Sequence, residues 1–164
     1  MVENGRIGVL FVCLGNICRS PLAEAVFLGL VKEAGLGGRV EVDSAGTSNY
    51  HTGDAPDPRT IEVARRRGIV LEHRARQIAA EDLDRFEYVV VMDAQNRERV
   101  QRLADQAKPG TEVHLLRRFD DSADAEDEVP DPYFGGPGSF EEVQEIVERA
   151  CRGLLEHIRG VHGL

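Results

Sequence analysis

Short apolar runs alternate along this chain with longer stretches whose apolar residues recur every three or four positions. Ile7 to Val12, broken only by Gly8, is the continuous kind of run found in strands buried on both faces of a parallel sheet. Ser20-Pro21 then predicts a helix start, with Ser20 as N-cap and Pro21 at the first helical position. Ala23, Val26, Phe27, Leu30, Val31 and Ala34 follow at helical spacing, and Gly35 ends the run. A second strand is predicted over Val40 to Ala45, followed by a loop rich in Gly, Pro and Asp over 46–57. Asp57-Pro58 opens a helix carrying Ile61, Val63 and Ala64, closed by Gly68. Tyr88 to Met92 predicts a third strand, 94–107 a polar helix, and Glu112 to Leu116 a short fourth strand. The last helix begins near Ser139. Its Val143, Ile146, Val147, Ala150, Leu154, Leu155, Ile158 and Val161 form one apolar stripe.

Strands alternating with helices in this way predict an α/β fold on a parallel sheet. No repeat or linker divides the chain, so residues 1–164 are expected to form one domain with an ordered core over about 6–162. Ligands in such sheets sit outside the carboxyl ends of the strands, where the strand order reverses. The loop after the first strand is therefore where chemistry is sought.

Composition narrows the choice. With 41% apolar and 30% charged residues the chain is globular, neither disordered nor a disulfide-stapled miniprotein. No apolar run approaches the length of a membrane span, and Met1 to Gly5 lacks the basic-then-apolar pattern of a signal sequence. Three cysteines are too few for a disulfide framework, which predicts a reducing, cytoplasmic setting. A net charge of −9 argues against nucleic acid or an anionic membrane as partner. An anionic ligand would need a positive site created locally. The charge is uneven: the first eighty residues carry +1 and the remainder −10. Six acids fall between Asp120 and Glu128, a run read as a solvated loop just ahead of Asp131.

The loop after the first strand reads Cys13-Leu14-Gly15-Asn16-Ile17-Cys18-Arg19-Ser20-Pro21. It lacks the Gly-Lys-Ser/Thr ending of a Walker loop and the G-x-G-x-x-G of a dinucleotide site. It offers instead a cysteine and an arginine separated by five residues, with a helix N-terminus behind them. The intervening peptides can curl so that their N–H groups converge on an anion. Gly15 and Asn16 are the residues best suited to the left-handed conformations of such a curl. The helix start and the planar fork of Arg19 add positive charge suited to a phosphate. A cysteine in that field loses its proton readily, so the nest that holds a phosphate also supplies a nucleophile.

Expelling a phenolate or similar leaving group from phosphorus goes much faster with a proton donor in place. Asp57 is explained as a helix cap, whereas Asp131 lies in Val129-Pro130-Asp131-Pro132-Tyr133-Phe134-Gly135, held extended by two prolines. The adjacent aromatics are expected to desolvate its carboxyl, and an Asx-type turn is the competing reading. Cys18 serves either as a partner for a protective disulfide with Cys13 or simply through its backbone N–H. Cys151 reads as a packed small residue on the last helix. The five histidines show no metal-ligand spacing, so no metal and no cofactor is expected.

Taken with Asp43-Ser44-Ala45-Gly46-Thr47, Asp57-Pro58-Arg59, His73-Arg74-Ala75-Arg76 and Met92-Asp93-Ala94-Gln95-Asn96, these motifs resemble the low-molecular-weight protein tyrosine phosphatases over nearly the whole chain. The resemblance implies a four-stranded parallel sheet flanked by helices on both faces. It also implies hydrolysis of phosphotyrosine and aryl phosphates through a phosphocysteine, with Cys13, Arg19 and Asp131 catalytic. Leu14, Gly15, Asn16, Ile17, Cys18 and Ser20 would bind phosphate, with Ser20 bonded to the Cys13 sulfur. Ser44, His73 and Asp93 would stand behind the loop, and Tyr50, Tyr133 and Phe134 would wall the pocket. Many relatives carry two tyrosines after Asp-Pro, where this chain has Tyr133-Phe134. Phosphotyrosine proteins, including a bacterial-type tyrosine kinase, are the implied partners of a monomer or weakly self-associating protein.

Two other activities share the fold. Protein-arginine phosphatases carry Thr where this chain has Ile17, and arsenate reductases relay a disulfide to later cysteines, of which only Cys151 is available here.

Overall fold

A computed structural model of the chain describes residues 5–124 and 126–164. Met1 to Asn4, read above for a signal sequence, and Ala125 of the acidic run lie outside the described residues. Strands β1 (Ile7–Cys13), β2 (Val40–Gly46), β3 (Tyr88–Val91) and β4 (Val113–Leu115) form one four-stranded sheet in the order β2-β1-β3-β4. Every pairing is parallel. Helices α1 (Arg19–Glu33), α2 (Pro58–Arg66), α3 (Ala80–Arg85), α4 (Ala94–Ala107) and α5 (Ser139–His162) make the crossovers and the cover.

Side chains alternate across a strand, so β1 feeds two cores. Val9, Phe11 and Cys13 join the cluster built with Phe27 and Val31 of α1 and Val147 and Leu154 of α5. Leu10 and Val12 face the opposite layer, with Leu83 of α3 and Val100 and Ala104 of α4. Burial on both faces explains the unbroken apolar run of β1. The two layers realise the α/β sheet with helices on both faces. From β1 the chain passes to β2 on one side and then crosses to β3 on the other, so the order reverses at the carboxyl end of β1, where Cys13 sits.

Several boundaries differ from the sequence pattern. The first helix begins at Arg19, with Cys18 in the cap position and no side-chain cap, so Ser20 is not the N-cap. Its hydroxyl is committed elsewhere, as described below. The six-residue α3 escapes the pattern because it is short and polar; the Asp82 carboxylate starts it by accepting the Ala79 N–H at 2.8 Å. The fourth strand is three residues long and runs into a 3-10 turn over Leu116–Phe119. Along α5 the stripe is buried through Ile158, but Val161 is 61% exposed. Gly153 lies so close to this turn that a Cβ there would meet the Phe119 carbonyl oxygen at 1.8 Å. The acidic run is not uniformly solvated either: Asp120 is buried between Arg117 and Arg149. Asp57 caps α2 as predicted, accepting the Arg59 N–H at 2.8 Å. No helix among the described residues is long and apolar enough to cross a membrane.

Candidate active site

The segment between β1 and α1 curls because its carbonyls are drawn outward by neighbouring strands of chain. Thr47 N–H donates to Cys13 O at 2.8 Å, Ser48 N–H to Leu14 O at 3.0 Å, and Asp57 N–H to Ile17 O at 2.8 Å. A trans peptide points its N–H away from its C=O, so the N–H groups of Leu14, Gly15 and Cys18 face the opposite, inner side. Only one residue of the curl is left-handed. Asn16 has φ of 57°, whereas Gly15 does not, contrary to the expectation for both. Gly15 is needed for room: a Cβ there would stand 3.0 Å from Cδ2 of His51. Gly46 at the end of β2 is needed likewise, since its Cβ would be 2.8 Å from Leu14 O.

Behind the curl, Asn16 is held by four contacts. Its Nδ2 donates to Ser20 Oγ at 2.7 Å and Ser44 Oγ at 3.0 Å, while Oδ1 accepts from Arg76 N–H at 3.1 Å. The backbone donor fixes which end of the amide is oxygen, so His73 Nε2, 2.6 Å from Oδ1, must be protonated. Ser20 Oγ, having accepted from Asn16, has its own proton to give. The Cys13 Sγ lies 3.0 Å away, nearer than the Ala45 carbonyl at 3.4 Å.

Further back, Ser44 Oγ donates to Glu24 Oε1 at 2.6 Å, and His73 Nδ1 lies 3.3 Å from the same oxygen. Glu24, Asp43 and His73 present ligand atoms within 4.8 Å of one another, a convergence that sequence spacing did not reveal. Arg76 already pairs with Asp43 there and with Asp82, supplying the cluster with a cation of its own. Burial pushes the Glu24 carboxyl up from its ordinary 4.5 to about 7, against the Ser44 hydrogen bond that lowers it, and burial pulls His73 down.

The folded protein therefore takes up a proton at Glu24 that the unfolded chain releases between these values. That contribution to stability is whole below the ordinary value of 4.5 and is lost as the pH rises through about 7. Glu24→Gln cannot titrate. The stability of the wild type relative to this variant is expected to fall by up to about 3 kcal/mol across that window. Urea midpoints of both proteins measured from pH 4 to 8 test this, and parallel curves would exclude it.

Arg19 lies under the curl with 3% of its surface exposed. Its Nη1 donates to Asp93 Oδ2 at 2.8 Å and Val129 O at 3.0 Å, and its Nη2 is 3.6 Å from Asp131 Oδ2. Burial alone would make it easier to deprotonate, but its neighbours Cys13, Asp93 and Asp131 prevail and hold the guanidinium charged. Asp131 itself is not desolvated as expected, its side chain being 47% exposed. Oδ1 accepts the Tyr133 N–H at 3.1 Å, so the Asx-type turn is present beside the approach to Arg19.

Cys13, Arg19 and Asp131 line one cavity of about 230 Å³, together with Leu14, Gly15, Ile17, Cys18, Tyr50, His51, Tyr133 and Phe134. The Tyr133 and Phe134 rings meet edge to face at 4.8 Å, and Phe134 is 95% exposed at the rim. All three cysteines are free. Burial pushes the Cys18 thiol up to about 12, and it raises that of Cys151, which lies in the core with Sγ 3.8 Å from Ala23 O.

Residues 8–161 match the family model for low molecular weight phosphotyrosine protein phosphatase. The chain belongs to this family. It is 48% identical over 152 residues to the low molecular weight protein-tyrosine-phosphatase of Streptomyces coelicolor, covering 92% of this chain and 93% of that one. Among solved structures, YfkJ from Bacillus subtilis superposes with a TM-score of 0.87 at 40% identity, over 96% of this chain and 98% of its own. A Drosophila arginine phosphatase superposes with a TM-score of 0.86 at 32% identity, over 92% and 97%.

A phosphatase of this family is a hydrolase, and its candidate site is the cavity just described. The sequence reading missed one side chain of this cavity, His51, and gave no role to Arg59 beside it, although Asp57-Pro58-Arg59 was among the motifs of the resemblance. His51 lies on the cavity wall, its Nδ1 3.2 Å from Asp54 Oδ2. Arg59 reaches from α2 to the Tyr133 carbonyl at 3.2 Å. Neither has a spacing that marks it, because each reaches the site only through the folding of its loop or helix. His51 follows directly on Tyr50, and Arg59 closes the Asp57-Pro58-Arg59 motif; these were the available pointers.

Proposed function

We propose that this phosphatase hydrolyses phosphotyrosine and aryl phosphates in two steps through Cys13. The sulfur attacks phosphorus, an S–P bond forms, and the bond to the phenolic oxygen breaks as Asp131 gives its proton to that oxygen. Water then attacks the phosphocysteine, Asp131 takes up a proton from it, and the S–P bond breaks to release phosphate. Arg19 and the inward N–H groups of the curl hold the phosphoryl oxygens throughout, so charge developing in both transition states meets fixed donors. Ser20 offers its proton to the sulfur, which favours Cys13 as the leaving group in the second step. Asn16, Ser44 and His73 keep the curl in shape, and Asp93 keeps Arg19 turned toward phosphate.

The observation that carries this reading is the meeting of Cys13, Arg19 and Asp131 in one cavity with aromatic walls. Ile17, Tyr50, Tyr133 and Phe134 offer apolar surface to a phenyl ring, which favours phosphotyrosine over phosphoserine. The likeness to an arginine phosphatase keeps a second substrate in the test. A panel of phosphotyrosine, phosphoserine and phosphoarginine peptides is expected to give turnover on phosphotyrosine foremost. Hydrolysis of phosphoarginine alone would replace this assignment. An arsenate relay through Cys151 is disfavoured by its burial in the core. The free thiols fit a reducing cytoplasm, where phosphotyrosine proteins, a bacterial-type tyrosine kinase among them, would be substrates.

A further inference from the structure

Asp131 must deliver its proton to an oxygen bound over Cys13, more than a hundred residues away in sequence, yet its own anchoring is slight. The carboxylate is half exposed, and its contacts are the turn bond from Tyr133 N–H and the 3.6 Å approach to Arg19. A proton donor works only within hydrogen-bond reach of the leaving oxygen, and a misplacement of about 1 Å costs about 10²-fold. On its N-terminal side the loop is held by Arg19 Nη1, which donates to Val129 O at 3.0 Å, and by Val129 N–H, which donates to Met92 O at 2.8 Å; on the Tyr133 side something else must tie it to the phosphate loop.

Arg59, in the first turn of α2, makes that connection. Its Nε and Nη2 grip both oxygens of Asp57 at 3.0 and 2.8 Å, and its Nη1 donates to the Tyr133 carbonyl at 3.2 Å. The guanidinium lies over the Tyr133 ring at 5.3 Å and the Phe140 ring at 4.5 Å. Asp57, for its part, donates its backbone N–H to Ile17 O in the phosphate loop at 2.8 Å. The bonds run unbroken from Ile17 through Asp57 and Arg59 to Tyr133, two residues from Asp131. A planar, multidonor fork is needed at the centre, since a lysine can serve Asp57 or the carbonyl but cannot also stack on two rings.

We propose that Arg59 is a positioning residue that ties the Asp131 loop to the phosphate loop and so sets where the proton is delivered. The proposal rests on the reading of Asp131 as proton donor. Arg59 is half exposed, and an ion pair of that kind adds little to stability, so its effect lies in geometry.

The test compares kcat/KM for p-nitrophenyl phosphate, whose leaving group needs little help, with phenyl phosphate, whose leaving group needs a proton. Arg59→Met is expected to lower the phenyl phosphate value about tenfold more than the p-nitrophenyl phosphate value. Inhibition by inorganic phosphate should change less than about twofold, because the phosphate loop is untouched. Arg59→Lys should recover only part of the loss. A merely structural role would reduce the active fraction and lower both substrates equally, and that result would overturn the proposal. Asp131→Asn is the control. If it shifts the substrate ratio and Arg59→Met does not, Arg59 alone is refuted; if Asp131→Asn leaves the ratio unchanged, the proton-donor reading fails and this proposal with it. Should Arg59→Met not fold, Asp57→Asn keeps the cap on α2 while weakening the grip on Arg59, and must shift the ratio in the same direction.

Discussion

Replacing Cys13 with serine is expected to abolish turnover of p-nitrophenyl phosphate, by more than about 10⁴-fold, while binding of inorganic phosphate persists. The two effects separate because the side chain and the cradle contribute different things. Binding comes from Arg19 and from the N–H groups turned inward by the outward bonds of Cys13, Leu14 and Ile17 carbonyls, none of which uses the sulfur. Turnover needs a nucleophile that attacks phosphorus and later leaves it. A serine hydroxyl does both poorly, and at this position it would bond to Ser20 Oγ, which lies 3.0 Å from the sulfur in the native protein. Isothermal titration with phosphate and a stopped assay with p-nitrophenyl phosphate read the two quantities. Persistent turnover in Cys13→Ser would rule out the phosphocysteine route, and loss of phosphate binding would mean that the cradle itself depends on the thiol.

Asp131→Asn is expected to lower kcat/KM for phenyl phosphate by about 10²- to 10³-fold, with a smaller loss for p-nitrophenyl phosphate. Asparagine is the informative substitution because its side-chain oxygen can still accept the Tyr133 N–H bond that forms the turn. The loop then keeps its shape and only the transferable proton is lost. A plot of log kcat/KM against leaving-group acidity should be steeper in the variant. Equal loss across leaving groups would move the acid role to another residue, and His51, on the same wall and paired with Asp54, would be the first to test.

Much of this phosphatase was readable before its fold was known. The run from Ile7 to Val12 announced a strand buried on both faces, and Phe11 and Leu10 do pack into opposite cores. Asp57-Pro58 announced a capped helix start, and the cap is made. Ser20-Pro21 announced a helix start too, but the cap is absent. The reason is competition for one hydroxyl: Ser20 Oγ sits between Asn16 Nδ2 and Cys13 Sγ, so it has no part in capping the helix it was expected to open. A local rule failed where a site made a stronger claim on the same atom. The polar hexapeptide of α3 was invisible for a different reason, since a helix of six residues shows too little periodicity to read.

The candidate chemistry was legible in the residues alone: a cysteine and an arginine with five residues between them at a strand's end, and a later segment carrying Asp131 between prolines. These are properties of residue type and of short stretches of chain, which local sterics and hydrogen bonding set. How the parts meet is set by the fold as a whole. The charge network behind Asn16 draws on Glu24, Asp43, His73 and Arg76, and the tie from Ile17 to Tyr133 passes through Asp57 and Arg59. Such contacts join segments that no spacing rule links, because they exist only once β1 and β2 lie side by side and α2 packs against α5. Asp131 shows the division most clearly. Its neighbours in sequence suggested a desolvated carboxyl, but its exposure is set by where the whole loop comes to rest, and there it is half open to water beside Arg19.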